Sequence, residues 1–384
     1  MKVLFITKNF PPIVCGVGDY TSKLANEFVL NKHQVTVLTS KNAFTNQADI
    51  KIDAVIPKWN LLAIPRIISY CRKSSPDVVS IQYVPYSFND KGMPFWLIFL
   101  YVLLKINGFN IVTTFHEIGI RYTENNIKRK LTASAQFFIA RILAIISVKN
   151  ITSIDLYIGY LKKYTKEVYK IPIGSNILPS EVSSQELADL RNLVAKNGEF
   201  IITSFGTRVS DVILHTLAAL KGEGYFVKLL LLGNLPKTSR EVFENTAKEL
   251  NIVNEIYITG FLAENTLYQY LKISSLFVMA EFVSTKGEGG IAGKSGSLAA
   301  AFAAGLPILG TKGDTTDVVF VNNENIFLMD EYSIGKTQKR IAEIMLDHQK
   351  RDAVSTQARQ TFLNYFSWES IYEKYMHVYT SLNK

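Results

Sequence analysis

Short, wholly apolar runs separated by amphipathic stretches constrain this chain more than any other feature of its sequence. Residues 3–6, 35–38, 78–81, 110–114 and 145–148 are strand-like runs, and helical patterns such as 20–30 lie between them. A strand that is apolar at successive positions is buried on both faces, as in a parallel sheet covered by helices on each side. The rhythm pauses at residues 171–179 (IPIGSNILP), whose prolines and glycine read as a hinge, and then restarts. Strands are expected at 200–205, 227–232, 256–258 and 276–279. Helices are expected at 211–220, 240–250 and 298–304, the last closed by Gly305. The expected fold class is α/β, with two Rossmann-like domains.

Composition agrees with two cores. A chain of 384 residues exceeds one ordinary hydrophobic core, and 48% hydrophobic with 20% charged residues excludes a disordered polypeptide. The net charge of +9 favours an anionic partner, without choosing among nucleotide phosphates, anionic lipid headgroups and nucleic acid. Two thiols, Cys15 and Cys71, argue for a reducing compartment and hence a cytoplasmic protein. The opening residues 1–7 lack the long apolar stretch of a signal peptide. Residues 94–104 (PFWLIFLYVLL) are uncharged but fall short of the about 20 residues that span a bilayer, so they read as a buried core helix. The aromatic stretch 366–382 reads as a final packed helix.

Open parallel sheets bind ligands at the carboxyl ends of their strands, so the loops there carry the candidate chemistry. After the first strand, Gly16 and Gly18 open a helix: either a tight turn or a loop that touches a ligand. The dinucleotide pattern Gly-x-Gly-x-x-Gly fails because Thr21 stands where its third glycine belongs. His116 and Glu117 follow the 110–114 strand, where His116 is either a catalytic group or a hydrogen-bonded structural one. The loop 286–297 (KGEGGIAGKSGS) precedes a small-residue helix, and its glycines free backbone N–H groups to face phosphate oxygens. A P-loop ATPase would need glycine at Glu288, one residue out of register. Arg208, in Gly206-Thr207-Arg208, is either a diphosphate clamp or a solvated cation. No Asp-x-Asp, histidine cluster or CxxC offers a metal site, so the expectation is a metal-independent protein without a cofactor.

At these residues the chain resembles the GT-B glycosyltransferases, and within them the retaining enzymes of family 4. The pieces are the Pro-Pro-x-x-x-Gly-x-Gly-Asp-Tyr-Thr opening, Thr-Phe-His-Glu at 114–117 and Ile-Pro-Ile-Gly-Ser-Asn-Ile at 171–177. Gly-x-Arg at 206–208, Leu-Leu-Gly-Asn at 231–234 and Ala-Ala-Gly-Leu-Pro-Ile at 303–308 complete the series. The resemblance implies two domains facing a central cleft: an acceptor-binding one over residues 1–174, onto which the helix 366–384 packs back, and a nucleotide-sugar-binding one over 175–365. It also implies His116 beside the donor sugar and Arg208 beside its diphosphate. The family's two glutamates are replaced by Ala292 and Ala300, and the lysine that usually follows Gly-x-Arg is absent. Lys294 is then expected to supply the displaced charge, with Ser295 and Ser297 on phosphate or ribose.

The expected catalytic set is therefore His116, Arg208 and Lys294. Gly16, Gly18, Gly206, Gly290, Ile291, Ala292, Gly293, Ser295, Gly296 and Ser297 are assigned to the donor, and Asp19, Tyr20 and Glu117 to the acceptor. The expected partners are a nucleotide-sugar, a glycan or lipid-linked acceptor and an anionic membrane surface held peripherally, not nucleic acid. The competing reading is a degenerate, non-catalytic sugar-binding subunit of an active relative.

Overall fold

The computed structural model describes residues 1–383 apart from 14, 42, 45–48 and 122–125; the side chains of Arg208, Ser239 and Asn383 also lie outside the description. The chain divides into two compact units, Met1–Pro172 with Trp368–Lys384, and Ile173–Ser367. The boundaries fall inside the 171–179 hinge and two residues past the expected start of the returning helix.

The strands of the first unit are β1 (Lys2–Ile6), β2 (Gln34–Ser40), β3 (Ile50–Ile56), β4 (Val78–Tyr83), β5 (Ile111–Phe115), β6 (Lys149–Thr152) and β7 (Val168–Lys170). Its helices are α1 (Gly16–Leu30), α2 (Ile64–Ser74), α3 (Pro85–Phe88), α4 (Trp96–Ile106), α5 (Ile127–Ile146) and α6 (Asp155–Leu161). All pairings are parallel, in the order β3-β2-β1-β4-β5-β6-β7. Strand alternation sends side chains to two helical layers. Leu4, Ile6, Val79, Ile81, Ile111 and Phe115 pack against α2, α4 and α5. Phe5 instead meets Phe28 of α1 edge-on at 5.8 Å, and the apolar stretch 94–104 supplies nine of the 11 residues of α4, which buries Trp96, Leu97, Leu100, Tyr101 and Leu104.

The second unit holds β8 (Phe200–Phe205), β9 (Val227–Leu232), β10 (Ile256–Ile258), β11 (Leu276–Met279), β12 (Ile308–Thr311) and β13 (Phe327–Met329). Its helices are α7 (Ser184–Val194), α8 (Asp211–Gly222), α9 (Lys237–Glu249), α10 (Glu264–Ile273), α11 (Gly296–Ala304), α12 (Ile334–Leu346) and α13 (His348–Thr361). The parallel order β10-β9-β8-β11-β12-β13 separates two apolar cores, one under α7, α10, α11 and α13 and one under α8, α9 and α12. In α11 every residue from Leu298 to Ala304 is buried, and Gly305 ends it at φ 69°.

Two expectations change. Residues 145–148 are no strand: Leu143 and Ala144 continue the buried stripe of α5, and Ser147 closes the helix by donating to Leu143 O at 2.8 Å, so β6 starts only at Lys149. The returning helix α14 (Trp368–Thr380) starts after Phe366. Phe366 stays in the second unit, stacked on Phe302 at 5.3 Å and Phe320 at 6.2 Å. The aromatic face of α14 packs on α1, with Tyr372 and Tyr375 around Phe28.

Candidate functional site

In a doubly wound sheet the ligand crevice opens where the strand order reverses. In the second unit that point lies between β8 and β11, so the loops after them, 206–210 and 280–295, frame it. Gly206 is fixed by packing: a Cβ there would stand 2.9 Å from Asn234 O. Arg208 carries the Gly206–Arg208 turn by its backbone, and its side chain lies outside the described residues.

The glycine loop differs from the expected phosphate cradle. The amides of Gly287, Gly289, Gly290, Ile291 and Gly293 are already taken by protein acceptors. Gly287 N–H donates to Ser284 O at 2.8 Å, Gly289 N–H to Asp314 Oδ1 at 2.8 Å and Gly290 N–H to Phe282 O at 3.3 Å. Ile291 N–H goes to Thr311 O at 2.9 Å and Gly293 N–H to Asp317 Oδ2 at 2.6 Å. The glycines serve close backbone approach: a Cβ on Gly289 would meet Phe282 O at 2.1 Å, and one on Gly290 would meet Gly313 N at 2.5 Å. Ile291 is core, its side chain filling the space over Gly310. Gly290, Ile291 and Gly293 therefore leave the list of groups that face a ligand through their amides, and the side chain of Ala292 is buried.

What remains is the start of α11. Ser295 is its N-cap, with Oγ accepting from Leu298 N–H at 3.3 Å, so this hydroxyl is engaged by its own helix. Among the described residues the N–H groups of Gly296 and Ser297 have no protein acceptor. No side chain approaches Gly296 within reach of a Cβ. Two open amides at a helix N-terminus, beside exposed Lys294, form an anion-binding arrangement at the carboxyl end of β11.

In the first unit the order reverses between β1 and β4. Gly18 brings α1 against the preceding loop: a Cβ there would stand 2.9 Å from Asn9 O, whereas Gly16 has open space. Tyr20, expected at an acceptor, is a core residue. Its ring packs edge-on to His116 at 5.0 Å and near Trp368 at 5.2 Å, and its hydroxyl donates to Tyr375 Oη at 3.1 Å. Neighbouring Asp19 is partly exposed, and burial raises its carboxyl above the usual range against the opposing pull of Lys23.

His116 lies on the α1–α14 side of the sheet, where its Nε2 is 2.8 Å from Gln82 Oε1. The Gln82 amide in turn donates to Ser80 Oγ at 3.1 Å, which leaves its oxygen for the imidazole N–H. Burial pushes the His116 pKa down to about 4, so the ring is neutral at pH 7 with Nδ1 as its acceptor. Glu117, one residue on, is exposed. Gln82 was not singled out from the sequence, although a glutamine closing the apolar run 78–83 is a visible signal. A cavity of about 330 Å³ also went unmarked: Lys8, Ser40, Trp59, Asn60 and Asp90 line it at the carboxyl ends of β1, β2 and β3. There the Trp59 indole N–H donates to Ser40 Oγ at 2.7 Å, and Lys8 pairs with Asp90 at 3.5 Å. No cluster of metal-ligating side chains occurs among the described residues.

These two sheets have the architecture of the GT-B glycosyltransferases. Anabaena HepE in complex with UDP superposes with a TM-score of 0.73 at 14% identity, over 99% of this chain and 100% of that one. Sucrose-phosphate synthase from Thermosynechococcus elongatus gives 0.72 at 16% identity, over 100% and 99%. Residues 191–361 match the family model of the glycosyl transferases group 1, so the second unit carries a glycosyltransferase domain of that family. A 2-deoxystreptamine N-acetyl-D-glucosaminyltransferase of Niallia circulans is 24% identical over 155 residues, 40% of this chain. That match spans 37% of the relative's length.

Proposed function

We propose that this chain is a retaining glycosyltransferase that moves a sugar from a nucleoside diphosphate to a glycan or lipid-linked acceptor, in bacterial-type polysaccharide or glycoconjugate synthesis. The observation that carries the reading is the pair of open amides on Gly296 and Ser297, at the switch point of a glycosyltransferase domain. A nucleotide diphosphate is the anion that such a domain would present there. HepE, crystallised with UDP and with UDP-glucose, shares the fold and supports this choice of ligand.

In this scheme the second unit holds the donor, with Lys294 and the α11 amides facing the diphosphate and Arg208 on the loop across the switch point. No metal or cofactor is needed, because cations and helix dipole meet the charge that develops as the anomeric C–O bond breaks toward phosphate. The first unit presents the acceptor. Its hydroxyl oxygen bonds the same face of the anomeric carbon and passes its proton to the departing phosphate oxygen, so that the products are the glycosylated acceptor and the nucleoside diphosphate. Trp59 and the polar rim of the 330 Å³ cavity suit a sugar ring, with Asp19 and Glu117 as further polar contacts. His116, neutral and oriented by Gln82, acts on the transferred sugar without opposing the positive charge of an oxocarbenium-like state. The protein works at the cytoplasmic face of a membrane, held peripherally.

Calorimetry with UDP, GDP and other nucleoside diphosphates, with and without EDTA, tests this. Binding unaffected by EDTA is expected, and saturation at 100 times Kd should stabilise the fold by about 2.7 kcal/mol. Binding that EDTA abolishes would overturn the metal-free clamp, and no binding by any nucleoside diphosphate would overturn the donor site. A second reading, a non-catalytic sugar-binding subunit, is favoured by one observation: buried alanines, Ala292 and Ala300, occupy the positions of the two glutamates the resemblance calls for. Turnover of any nucleotide-sugar excludes it.

A further inference from the structure

The helical layer α2–α4–α5 of the first unit presents to solvent a surface that the fold does not use. Residues spaced by three or four on α4 (Phe99, Val102, Leu103 and Ile106) are all exposed, Ile106 at 74%. They form one stripe, opposite the buried stripe of Trp96, Leu97, Leu100 and Leu104. On α5, Ile127, Leu131, Phe138 and Ile145 form a second exposed stripe, Ile127 at 77%. Both helices bury their other faces in the same core, together with α2. Arg72 of α2 ties this layer together through two hydrogen bonds to Asn107, at the end of α4.

Charge on this layer has one sign. α2 carries Arg66, Arg72 and Lys73, α4 carries Lys105, and α5 carries Lys128, Arg129, Lys130 and Arg141; none of the three helices contains an Asp or Glu. On the opposite side of the sheet α1 holds Asp19 and Glu27 against Lys23, and α14 holds Glu369 and Glu373 against Lys374. The basic excess of the first unit is therefore concentrated on the layer that also exposes apolar stripes. No described helix is long and apolar enough to cross a membrane. Short helices with outward apolar residues and a basic rim lie along a bilayer interface.

We propose that the α2–α4–α5 face seats this protein on an anionic lipid surface, with Phe99, Ile106, Leu131 and Phe138 entering the headgroup boundary and Lys128, Arg129 and Lys130 meeting the charge. The proposal rests on the reading of a peripheral membrane enzyme and names its docking face. Charge complementarity selects the occupant. A second copy of this chain would bring eight bases against eight with no acid between them, and like charges juxtaposed across an interface oppose pairing.

Flotation with phosphatidylcholine vesicles, with and without phosphatidylglycerol, at low salt tests the surface. Wild type should float with the anionic vesicles and not with the neutral ones. Each base near such a surface contributes about fivefold in partitioning, so Lys128→Glu/Arg129→Glu/Lys130→Glu should lower it by about 10²-fold or more. Phe99→Ser/Ile106→Ser should lower flotation in a way that reducing the salt does not restore. Both variants change exposed residues only, so circular dichroism and thermal unfolding should be unchanged. No flotation of wild type, variants that float like wild type, or a dimer in light scattering that the Phe99→Ser/Ile106→Ser variant breaks would each overturn the proposal. Calorimetry with UDP in the absence of vesicles keeps the two readings apart. Diphosphate binding without flotation removes the docking face alone, and flotation without binding of any nucleoside diphosphate removes the donor site alone.

Discussion

His116 joins a catalytic expectation to a burial that has its own thermodynamic signature. Its pKa is lowered from 6.5 to about 4 by burial, so the unfolded chain binds a proton between those values that the folded chain excludes. Stability carried by this group is complete above about pH 6.5 and is lost as pH falls toward 4, by up to roughly 3 kcal/mol at 1.36 kcal/mol per unit. Urea unfolding of wild type and His116→Gln at pH 7.5 and 4.5 checks it: the variant should lose distinctly less stability over that interval. His116→Ala should lower turnover by about 10²-fold or more and leave UDP affinity near wild type. Turnover per folded molecule equal to wild type would make His116 a packing residue. The two glycines of the first loop looked alike in the sequence but have different surroundings. Gly18→Ala drives a methyl to 2.9 Å from Asn9 O and should cost about 1–3 kcal/mol. Gly16→Ala enters open space at the start of α1 and should be neutral or stabilising by up to about 1 kcal/mol. Thermal unfolding of the pair reads the difference. Such a distinction depends on what lies across space from each glycine, which residue spacing does not encode.

At the scale of elements, α11 separates stability from binding. Ser295→Ala removes the cap hydrogen bond to Leu298 N–H and should cost about 1 kcal/mol of stability, with a small effect on UDP affinity. Lys294→Ala should instead act on the ligand, weakening diphosphate binding by about 1.5–3 kcal/mol. Calorimetry and chemical denaturation of both variants check the assignment, and equal effects on affinity would return the Ser295 hydroxyl to the ligand. The start of α11 was legible because a polar, glycine-rich loop ran into an alanine-rich helix. That the amides before it were occupied was not legible, because Asp314 and Asp317 reach them from 25 and 24 residues further along the chain. Strands β8, β9, β10 and β11 fall at the residues expected from apolar runs, since burial on both faces leaves little freedom in composition. The apolar run 145–148 misled for a different reason: Ile145 and Val148 are exposed apolar residues at the end of α5 and just past it, so the run does not mark burial on both faces. On α14, Tyr375 Oη joins Tyr20 Oη at 3.1 Å and Thr114 Oγ1 at 2.9 Å. Tyr375→Phe should therefore cost about 1–3 kcal/mol in thermal unfolding by leaving both hydroxyls without this partner.

At the scale of the molecule, the two-unit plan was written in the repetition of the strand–helix rhythm and in the proline-bracketed hinge between its halves. The sidedness of the first unit was not, because the three acid-free helices are separated in sequence and only the sheet gathers them into one layer. The first unit is also interrupted in sequence: residues 173–367 are translated before α14 can close over α1. At a synthesis rate of about 5–20 residues per second, those 195 residues take roughly 10–40 s. During that interval the nascent first unit has its strands but lacks the helix that covers Phe28 and receives the hydroxyl of Tyr20. Its birth on the ribosome therefore includes a waiting period in which an aromatic face is open to chaperones and to neighbouring chains, and codon-level pausing within the second unit would lengthen it.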